Sequence, residues 1–286
     1  MSKEVDVSAK AMLVKMSIGQ WYNRAIDRKV TMEIAAKYEL KGSEDQYVKK
    51  LIPHGALSSI EKAITALRKY HNDNTLPWGQ DGVRILPGKK YLQYVQDVAM
   101  LKQQFEQTVA AFIGQFDNWV ENAKLTKKDL FNPGDYPSKE NLAKMFYVKL
   151  DFFPLPNAND FRLDLHAQDL AELRRSTEAS IRDAYTDANR SLVQRVAQKL
   201  QACVAAIQVP GKIFRDATVT SIIETVSLVE DLNVTNNEDV TLVCGATRTA
   251  CGGPDFTPEA LRTNESYRLR KTKELAALLE VFAPFM

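Results

Sequence analysis

The side chains that could do covalent or metal chemistry are few and widely spaced. The chain has three cysteines, Cys203, Cys244 and Cys251, and three histidines. Tetrahedral zinc needs four ligands, and Cys244 and Cys251 have no second Cys or His pair beside them in the sequence. A cysteine nucleophile needs a base within hydrogen-bonding reach, and no histidine stands at a diagnostic spacing. The sequence therefore predicts no metal, no cofactor and no catalytic residue, and we expect a protein that is not an enzyme.

Two residues of the segment 71–90 are typical of a protein interface. Trp78 and Arg84 stand close together in this segment. Tryptophan and arginine are enriched among the interface residues that contribute most to binding. They predict contact with a protein partner or with a second copy of the chain. Trp78 could instead pack over a small sheet as part of the core, and the sequence leaves both interpretations open.

A second group of residues is typical of single-stranded nucleic-acid binding. Aromatic rings stack on bases, and Lys and Arg contact phosphates. The two types alternate near the N-terminus, and the candidate residues are Trp21, Tyr22, Arg24, Arg28, Lys29, Lys49 and Lys50. Aromatic residues beside strands also pack in cores. Nucleic-acid binding is therefore the alternative to protein–protein interaction.

Two long helices must position most of the chain. Over 89–124 an apolar or aromatic residue recurs every seven positions, including Phe105, Phe112 and Trp119. Over 167–207 apolar residues recur with a mean period of about 3.7 residues. Both patterns predict one apolar stripe on a helix, and we expect the two helices to form an antiparallel pair.

The remaining elements are shorter. Alternating apolar and polar residues predict strands over 12–18, 146–152 and 160–165. Helical periodicity predicts a helix over 43–71, interrupted at Pro53. Residues 71–90 have no helical period and are expected to form a long loop, in which Asp81 and Gly82 could turn a small hairpin. The predicted fold is mostly α with a small two- to four-stranded antiparallel sheet, in a single continuous domain over 1–286.

The overall charge is close to neutral but is unevenly distributed. The chain has 38 Lys and Arg against 36 Asp and Glu, and residues 1–71 have 13 against 8. A polyanionic partner should therefore meet the N-terminal part. No apolar run has the length of a signal peptide's core or of a membrane span, so we expect a cytoplasmic protein without membrane contact.

Several short motifs resemble a family of uncharacterised proteins from tailed bacteriophages and prophages. They are residues 75–78 (TLPW), 81–87 (DGVRILP), 130–132 (LFN) with 135–137 (DYP), 155–156 (LP) with 160–162 (DFR), and 17–21 (SIGQW) with 27–31 (DRKVT). The similarity covers about residues 12–232. It implies a viral origin and a bacterial cytoplasm, and it brings no assigned activity. We therefore expect a phage-encoded interaction protein, or alternatively a single-strand binder of viral replication or recombination.

Overall fold

The structure is a computed structural model that describes residues 10–40, 45–79, 81–157, 166–209 and 213–286. The described residues form ten helices, which are α1 Arg28–Lys37, α2 Ser58–Asn74, α3 Tyr91–Gly114, α4 Phe116–Lys127, α5 Lys139–Met145, α6 Ala167–Ile207, α7 Ala217–Leu232, α8 Glu238–Cys251, α9 Pro258–Thr263 and α10 Glu265–Phe282. They also form six strands, which are β1 Ala11–Gly19, β2 Arg24–Ile26, β3 Val48–Lys50, β4 Leu76–Pro77, β5 Val83–Pro87 and β6 Tyr147–Phe153. The fold is mostly helical with a small antiparallel sheet, as the sequence predicts.

Contacts between residues group the chain into two compact units. Unit 1 contains the described residues of Met1–Lys15, Asn72–Tyr94 and Asp151–Met286, and unit 2 contains those of Met16–His71 and Val95–Leu150. This division differs from the single continuous domain that we predicted. Each unit is built from separate pieces of chain, and the boundaries fall inside β1, α2, α3 and β6. No linker composition could therefore mark them in the sequence.

The longest helix, α6, organises the core of unit 1. Its bounds agree with the helix predicted over 167–207. From Ala184 onward its apolar stripe is buried, and it packs against α7, α8 and α10. The sequence predicted a pair of long helices, but within unit 1 the packing partners of α6 are the helices that follow it in the chain.

The helix predicted over 89–124 is two helices, α3 and α4. The backbone leaves helical geometry at Gln115, where φ is −97° and ψ is 0°. The preceding residue is Gly114, and glycine is about 1 kcal/mol less favourable than alanine inside a helix. The apolar stripe continues across the break, since the buried rings of Phe112 and Phe116 lie 5.9 Å apart. The seven-residue pattern therefore does not reveal the break at Gln115.

The main sheet has the strand order β4-β5-β1-β6. Strands β1 and β6 correspond to the predicted strands 12–18 and 146–152, while the predicted strand 160–165 lies outside the described residues. Residues 71–90 are not the long loop that we predicted, because α2 continues to Asn74, but the small hairpin that the sequence allowed at Asp81 and Gly82 is present as β4–β5. The hairpin turn contains Asp81 and Gly82, both at positive φ, in the left-handed conformation that such turns require.

A separate two-stranded ribbon, β2–β3, lies in unit 2. Its antiparallel pairs are Arg24 with Lys50, Ala25 with Lys49, and Ile26 with Val48. The prediction of a helix before Pro53 is wrong at Val48–Lys50, because these residues form the strand β3. The backbone of β3 pairs with a strand more than twenty residues earlier in the chain. A local periodicity pattern cannot show such a tertiary contact.

The core of unit 2 is largely aromatic. The ring of Trp21 lies 6.2 Å from that of Phe112 and 5.7 Å from that of Phe116, and Phe146 packs on Phe112 at 6.0 Å. Aromatic pairs at these centroid distances stabilise a core beyond their buried area. Among the described helices of both units, none combines the length and apolarity needed to cross a membrane.

Candidate functional site

The three cysteines are packed into the core of unit 1. All three side chains are buried. Burial raises the pKa of the Cys203 and Cys244 thiols to about 11 and that of Cys251 to about 12. They are therefore protonated at neutral pH, whereas the thiolate is the nucleophilic form. Within the described ranges, no group of three or more His, Cys, Asp or Glu side chains is placed to hold a metal ion.

Trp78 and Arg84, the predicted partner-binding residues, both have contacts inside unit 1. Trp78 is partly buried against the core and meets the ring of Tyr185 edge-on at 5.5 Å. Arg84 donates from Nε to the Thr75 hydroxyl at 2.6 Å and from Nη2 to the Thr75 carbonyl at 3.0 Å. These contacts favour the core interpretation of Trp78 and a structural role for Arg84.

Arg84 shares its acceptors with a second arginine, Arg195 of α6. Arg195 donates to the backbone carbonyls of Asn72, Asp73 and Thr75 at 2.7–2.9 Å. The last carbonyls of a helix have no partner within the helix, so the two arginines cap the C-terminus of α2. Burial, and then the charge of Arg195, lowers the pKa of Arg84 to about 10. Both groups remain charged at neutral pH, and their donors are largely used.

Lys49 is a candidate nucleic-acid contact that is not accessible. Its side chain is 6% exposed, and its Nζ lies 2.7 Å from a carboxylate oxygen of Asp27 and 2.9 Å from one of Asp135. The same Nζ donates to the Leu130 carbonyl at 2.7 Å. Burial alone would lower the pKa of Lys49, but the two carboxylates outweigh it and raise the pKa above its ordinary value. Lys49 is therefore an internal anchor of the ribbon.

Asp27 connects this anchor to helix α1. Its carboxylate accepts from the backbone N–H of Val30 and so caps the N-terminus of α1. The hydrogen bond from Lys49, and then that from Val30, hold the pKa of Asp27 below its ordinary value. An N-cap carboxylate satisfies N–H groups that a helix leaves free. One ion cluster therefore fixes β3, the start of α1 and the turn at Pro133–Asp135.

The outward face of the ribbon carries the exposed members of the predicted group. Because Arg24 and Lys50 are directly opposed, their side chains leave the same face of the ribbon, and both are exposed. In the part of the chain that the structure describes, no carboxylate forms an ion pair with either of them. The guanidinium of Arg24 lies 5.3 Å from the ring centre of Tyr22, and Tyr22 is 66% exposed.

These three side chains line a groove of about 370 Å³. Trp21 and Phe146 line its inner part, and Glu61 of α2 is the acidic residue that lines it. Asn23, in the left-handed region with φ at 54°, fixes the start of β2, since its side chain both donates to and accepts from the backbone of Ile52. Trp21 is 9% exposed, so it belongs to the core and has no ring face free for a base.

Arg28 and Lys29 line a second groove, which Ile26 also lines, whereas Val48 lines the first groove. The volume of the second groove is about 650 Å³, and four acidic residues line it, namely Asp27, Glu33, Asp129 and Asp135. With Lys49, the lining has three basic residues against four acidic ones. This groove therefore does not favour an anion. Of the seven predicted residues, four line the first groove (the buried Trp21 with Tyr22, Arg24 and Lys50) and three line the second (Arg28, Lys29 and Lys49).

Sequence reasoning missed the features that make the first groove distinct. It assigned Lys49 and Lys50 the same role, although the alternation of a strand places them on opposite faces. A strand at 48–50 would have separated them, but the helical interpretation of 43–53 hid this signal. Sequence reasoning also missed the apolar pair Ile26 and Val48 beside the two cations.

The charge of the two units differs in sign. Unit 2 has 17 Lys and Arg against 13 Asp and Glu, a net charge of +4, whereas unit 1 has 21 against 23, a net charge of −2. The excess positive charge is therefore in the unit that contains the groove.

Comparison with known proteins gives no relative. No protein-family model, no curated protein and no solved structure matches the chain.

Proposed function

We propose that this protein binds single-stranded nucleic acid, without catalysis, through the groove that Tyr22, Arg24 and Lys50 line. The observation that carries the proposal is the opposed pair Arg24 and Lys50 beside an exposed tyrosine ring. Like charges directly opposite each other destabilise a strand pair. A phosphate between them removes this repulsion, so the pair is understandable as a phosphate seat.

The exposed ring favours a single strand over a duplex. A base can stack on Tyr22 only when its face is free, and the bases of a duplex are stacked on one another. The groove offers aromatic and cationic groups, and of the two side-chain amides that line it, Gln20 and Asn23, that of Asn23 is already bonded to the backbone of Ile52. Affinity should therefore depend on salt and on strandedness more than on base order.

The biological setting is part of the same proposal. The resemblance to tailed-phage proteins supports a role in viral replication or recombination, in the cytoplasm of the bacterial host. Single-stranded intermediates occur in both processes, and the positive charge of unit 2 supports contact with them.

The test is fluorescence anisotropy with a labelled mixed-sequence DNA oligonucleotide at about 50 mM salt, where phosphate contacts are strong. We expect binding to the single strand, with weaker binding to the blunt duplex of the same sequence. The Arg24→Gln/Lys50→Gln variant should bind the single strand at least about tenfold more weakly than the wild type. Tyr22→Ala should bind about tenfold more weakly, whereas Tyr22→Phe, which keeps the ring, should retain most of the affinity.

The matched control is Arg182→Gln/Lys199→Gln, which removes two exposed charges from α6 in unit 1. It makes the same change in net charge and should leave binding within about twofold, because exposed charges away from a site act weakly through salt. No binding of any oligonucleotide by the wild-type protein contradicts the proposal. An equal loss in both double variants contradicts the assignment to the groove.

A second candidate function is protein–protein contact or self-association through α1. This helix has no buried residue, and Met32, Ile34 and Tyr38 at its end are exposed. Exposed apolar side chains that lie together often mark interaction surfaces. Helix α1 is therefore a better candidate for such a surface than Trp78, which packs on the core of unit 1. Light scattering over a range of protein concentrations tests self-association, and Met32→Glu/Ile34→Glu should reduce it. A molar mass that stays monomeric at every concentration contradicts self-association.

A further inference from the structure

The pair Ile26 and Val48 stands next to the phosphate seat on the same outward face of the ribbon. Strand alternation places Arg24 and Ile26 of β2, and Lys50 and Val48 of β3, on this face, while Ala25 and Lys49 point inward. Ile26 is 50% exposed and Val48 is 49% exposed. The face therefore presents a row of two cations followed by a row of two branched apolar side chains.

The spacing of these rows suits two neighbouring parts of one ligand. Rows two residues apart on a strand are separated by about 6.8 Å. Tyr22 precedes β2, and the guanidinium of Arg24 lies over its ring. A phosphate between Arg24 and Lys50 is thus flanked by an aromatic ring on one side and by the apolar pair on the other.

The chemistry of the apolar row limits which base it can distinguish. Ile26 and Val48 side chains have no donor or acceptor, so they cannot read hydrogen-bonding edges. They can contact a methyl group, and among the standard DNA bases thymine alone has one, at C5. Removing this methyl from water against two apolar side chains is favourable, whereas uracil offers nothing equivalent.

We infer that the ribbon face is a dinucleotide seat with a preference for thymine, in which Arg24 and Lys50 hold the phosphate and Ile26 and Val48 contact the thymine methyl. This inference rests on the proposed function and deepens it by naming the preferred ligand as thymine-containing single-stranded DNA. The second groove, which Ile26 lines together with four acidic residues, does not favour a further phosphate on that side of Ile26, and this supports a short seat.

The experiment compares a short oligothymidylate with the oligodeoxyuridylate of equal length, which has the same sugar and phosphates and lacks only the methyl groups. Affinities are measured by anisotropy for the wild-type protein and for Ile26→Thr/Val48→Thr. Threonine keeps the branched Cβ that strands favour, and a hydroxyl replaces one methyl group of Val48 and the ethyl group of Ile26. We expect the wild type to bind oligothymidylate about fourfold more tightly, the effect of one buried methyl group.

In the threonine variant the two oligonucleotides should bind with equal affinity, and its binding of oligodeoxyuridylate should match that of the wild type within about twofold. This second measurement also reports that the variant is folded. Equal binding of the two oligonucleotides by the wild type overturns the inference and leaves the proposed function standing. A preference that persists in the threonine variant overturns the assignment to Ile26 and Val48. Failure of the wild type to bind either oligonucleotide overturns the proposed function itself.

Discussion

Two pairs of basic residues in this protein have opposite environments. Arg84 and Arg195 lie together in unit 1, where their donors are used by the hydroxyl of Thr75 and by carbonyls at the end of α2. Arg24 and Lys50 lie together in unit 2 on an exposed strand face, and in the described residues no carboxylate pairs with them. The first pair holds a helix end, and the second leaves its donors open to a ligand.

The comparison teaches that proximity of two cations does not identify a binding site. What distinguishes the pairs is whether the protein itself supplies the acceptors. Lys49 follows the same rule. It is next to Lys50 in the sequence, but its ammonium group forms ion pairs with Asp27 and Asp135. Donors that the fold has already satisfied stabilise it, and donors that it leaves unsatisfied are available for function.

The largest effect should come from Lys49→Met. The substitution leaves the carboxylates of Asp27 and Asp135 buried without their cation, and breaking a buried ion pair in this way costs about 3–5 kcal/mol. The free energy of unfolding in urea measures it. Lys50→Met, on the opposite face of the same strand, is the control; it removes the repulsion with Arg24 and should cause no loss of stability. Equal losses in the two variants would contradict the anchoring role of Lys49.

Arg195→Met should have the next largest effect. It removes hydrogen bonds from a charged donor to three carbonyls at the end of α2, while Arg84 still contacts two of them. We expect a loss of about 2–3 kcal/mol in the free energy of unfolding. Arg190→Met, one turn earlier on α6 and exposed, is the control and should cost less than about 0.5 kcal/mol. If Arg195→Met loses no more stability than the control, the capping role of Arg195 is contradicted.

The deficit of Lys49→Met should depend on pH. In the wild type the pKa of Asp27 is lowered, so its stabilisation is complete above the unfolded pKa and is lost only as the pH falls through the lowered folded value. The pKa of Lys49 is raised, so its stabilisation is lost only as the pH rises through that raised value. The wild type should therefore change little, through these groups, between about pH 5 and pH 9.

In Lys49→Met the carboxylate of Asp27 loses the hydrogen bond that contributes most to its lowered pKa. As the pH falls from about 5 to about 3, the wild type loses stabilisation that the variant no longer has, and the difference between their free energies of unfolding should narrow. Urea unfolding of both proteins at the two pH values measures the change. A deficit of constant size would show that the loss does not come from the carboxylates.

The smallest effect has the opposite sign. Arg24→Gln removes one member of a like-charged cross-strand pair, and the protein should become more stable by about 0.2–1 kcal/mol. The temperature of unfolding and its salt dependence measure this gain, which should shrink as salt screens the repulsion. A clear destabilisation would mean that Arg24 has structural partners, as Arg84 has, and that the two pairs are not different in kind.

The sequence predicts the elements with long, regular patterns. The helix at 167–207 and the strands near 12–18 and 146–152 are observed where the pattern places them. The break at Gln115 escapes prediction because the apolar stripe continues through it. The local hairpin β4–β5 is observed at Asp81 and Gly82, where the sequence allowed one, whereas the strand β3 escapes prediction because it depends on pairing with distant chain.

The candidate site was only partly predictable for the same reason. Residue types indicated Tyr22, Arg24 and Lys50, but they indicated Trp21 and Lys49 equally. Only the fold places the ring of Trp21 against Phe112 and surrounds Lys49 with carboxylates. Charge and aromaticity can be counted in a sequence, whereas the acceptors that use a donor come from remote positions such as Asp135 and Leu130.

The salt dependence of single-strand binding tests the central difference between the two pairs most directly. Each phosphate contact with single-stranded DNA contributes about −0.7 to the slope of log K against log salt concentration. Because the two cations hold one phosphate, we predict that the slope of Arg24→Gln/Lys50→Gln is smaller in magnitude than that of the wild type by about 0.7, while Arg182→Gln/Lys199→Gln keeps the wild-type slope. Identical slopes for all three proteins would contradict the claim that Arg24 and Lys50 hold a phosphate.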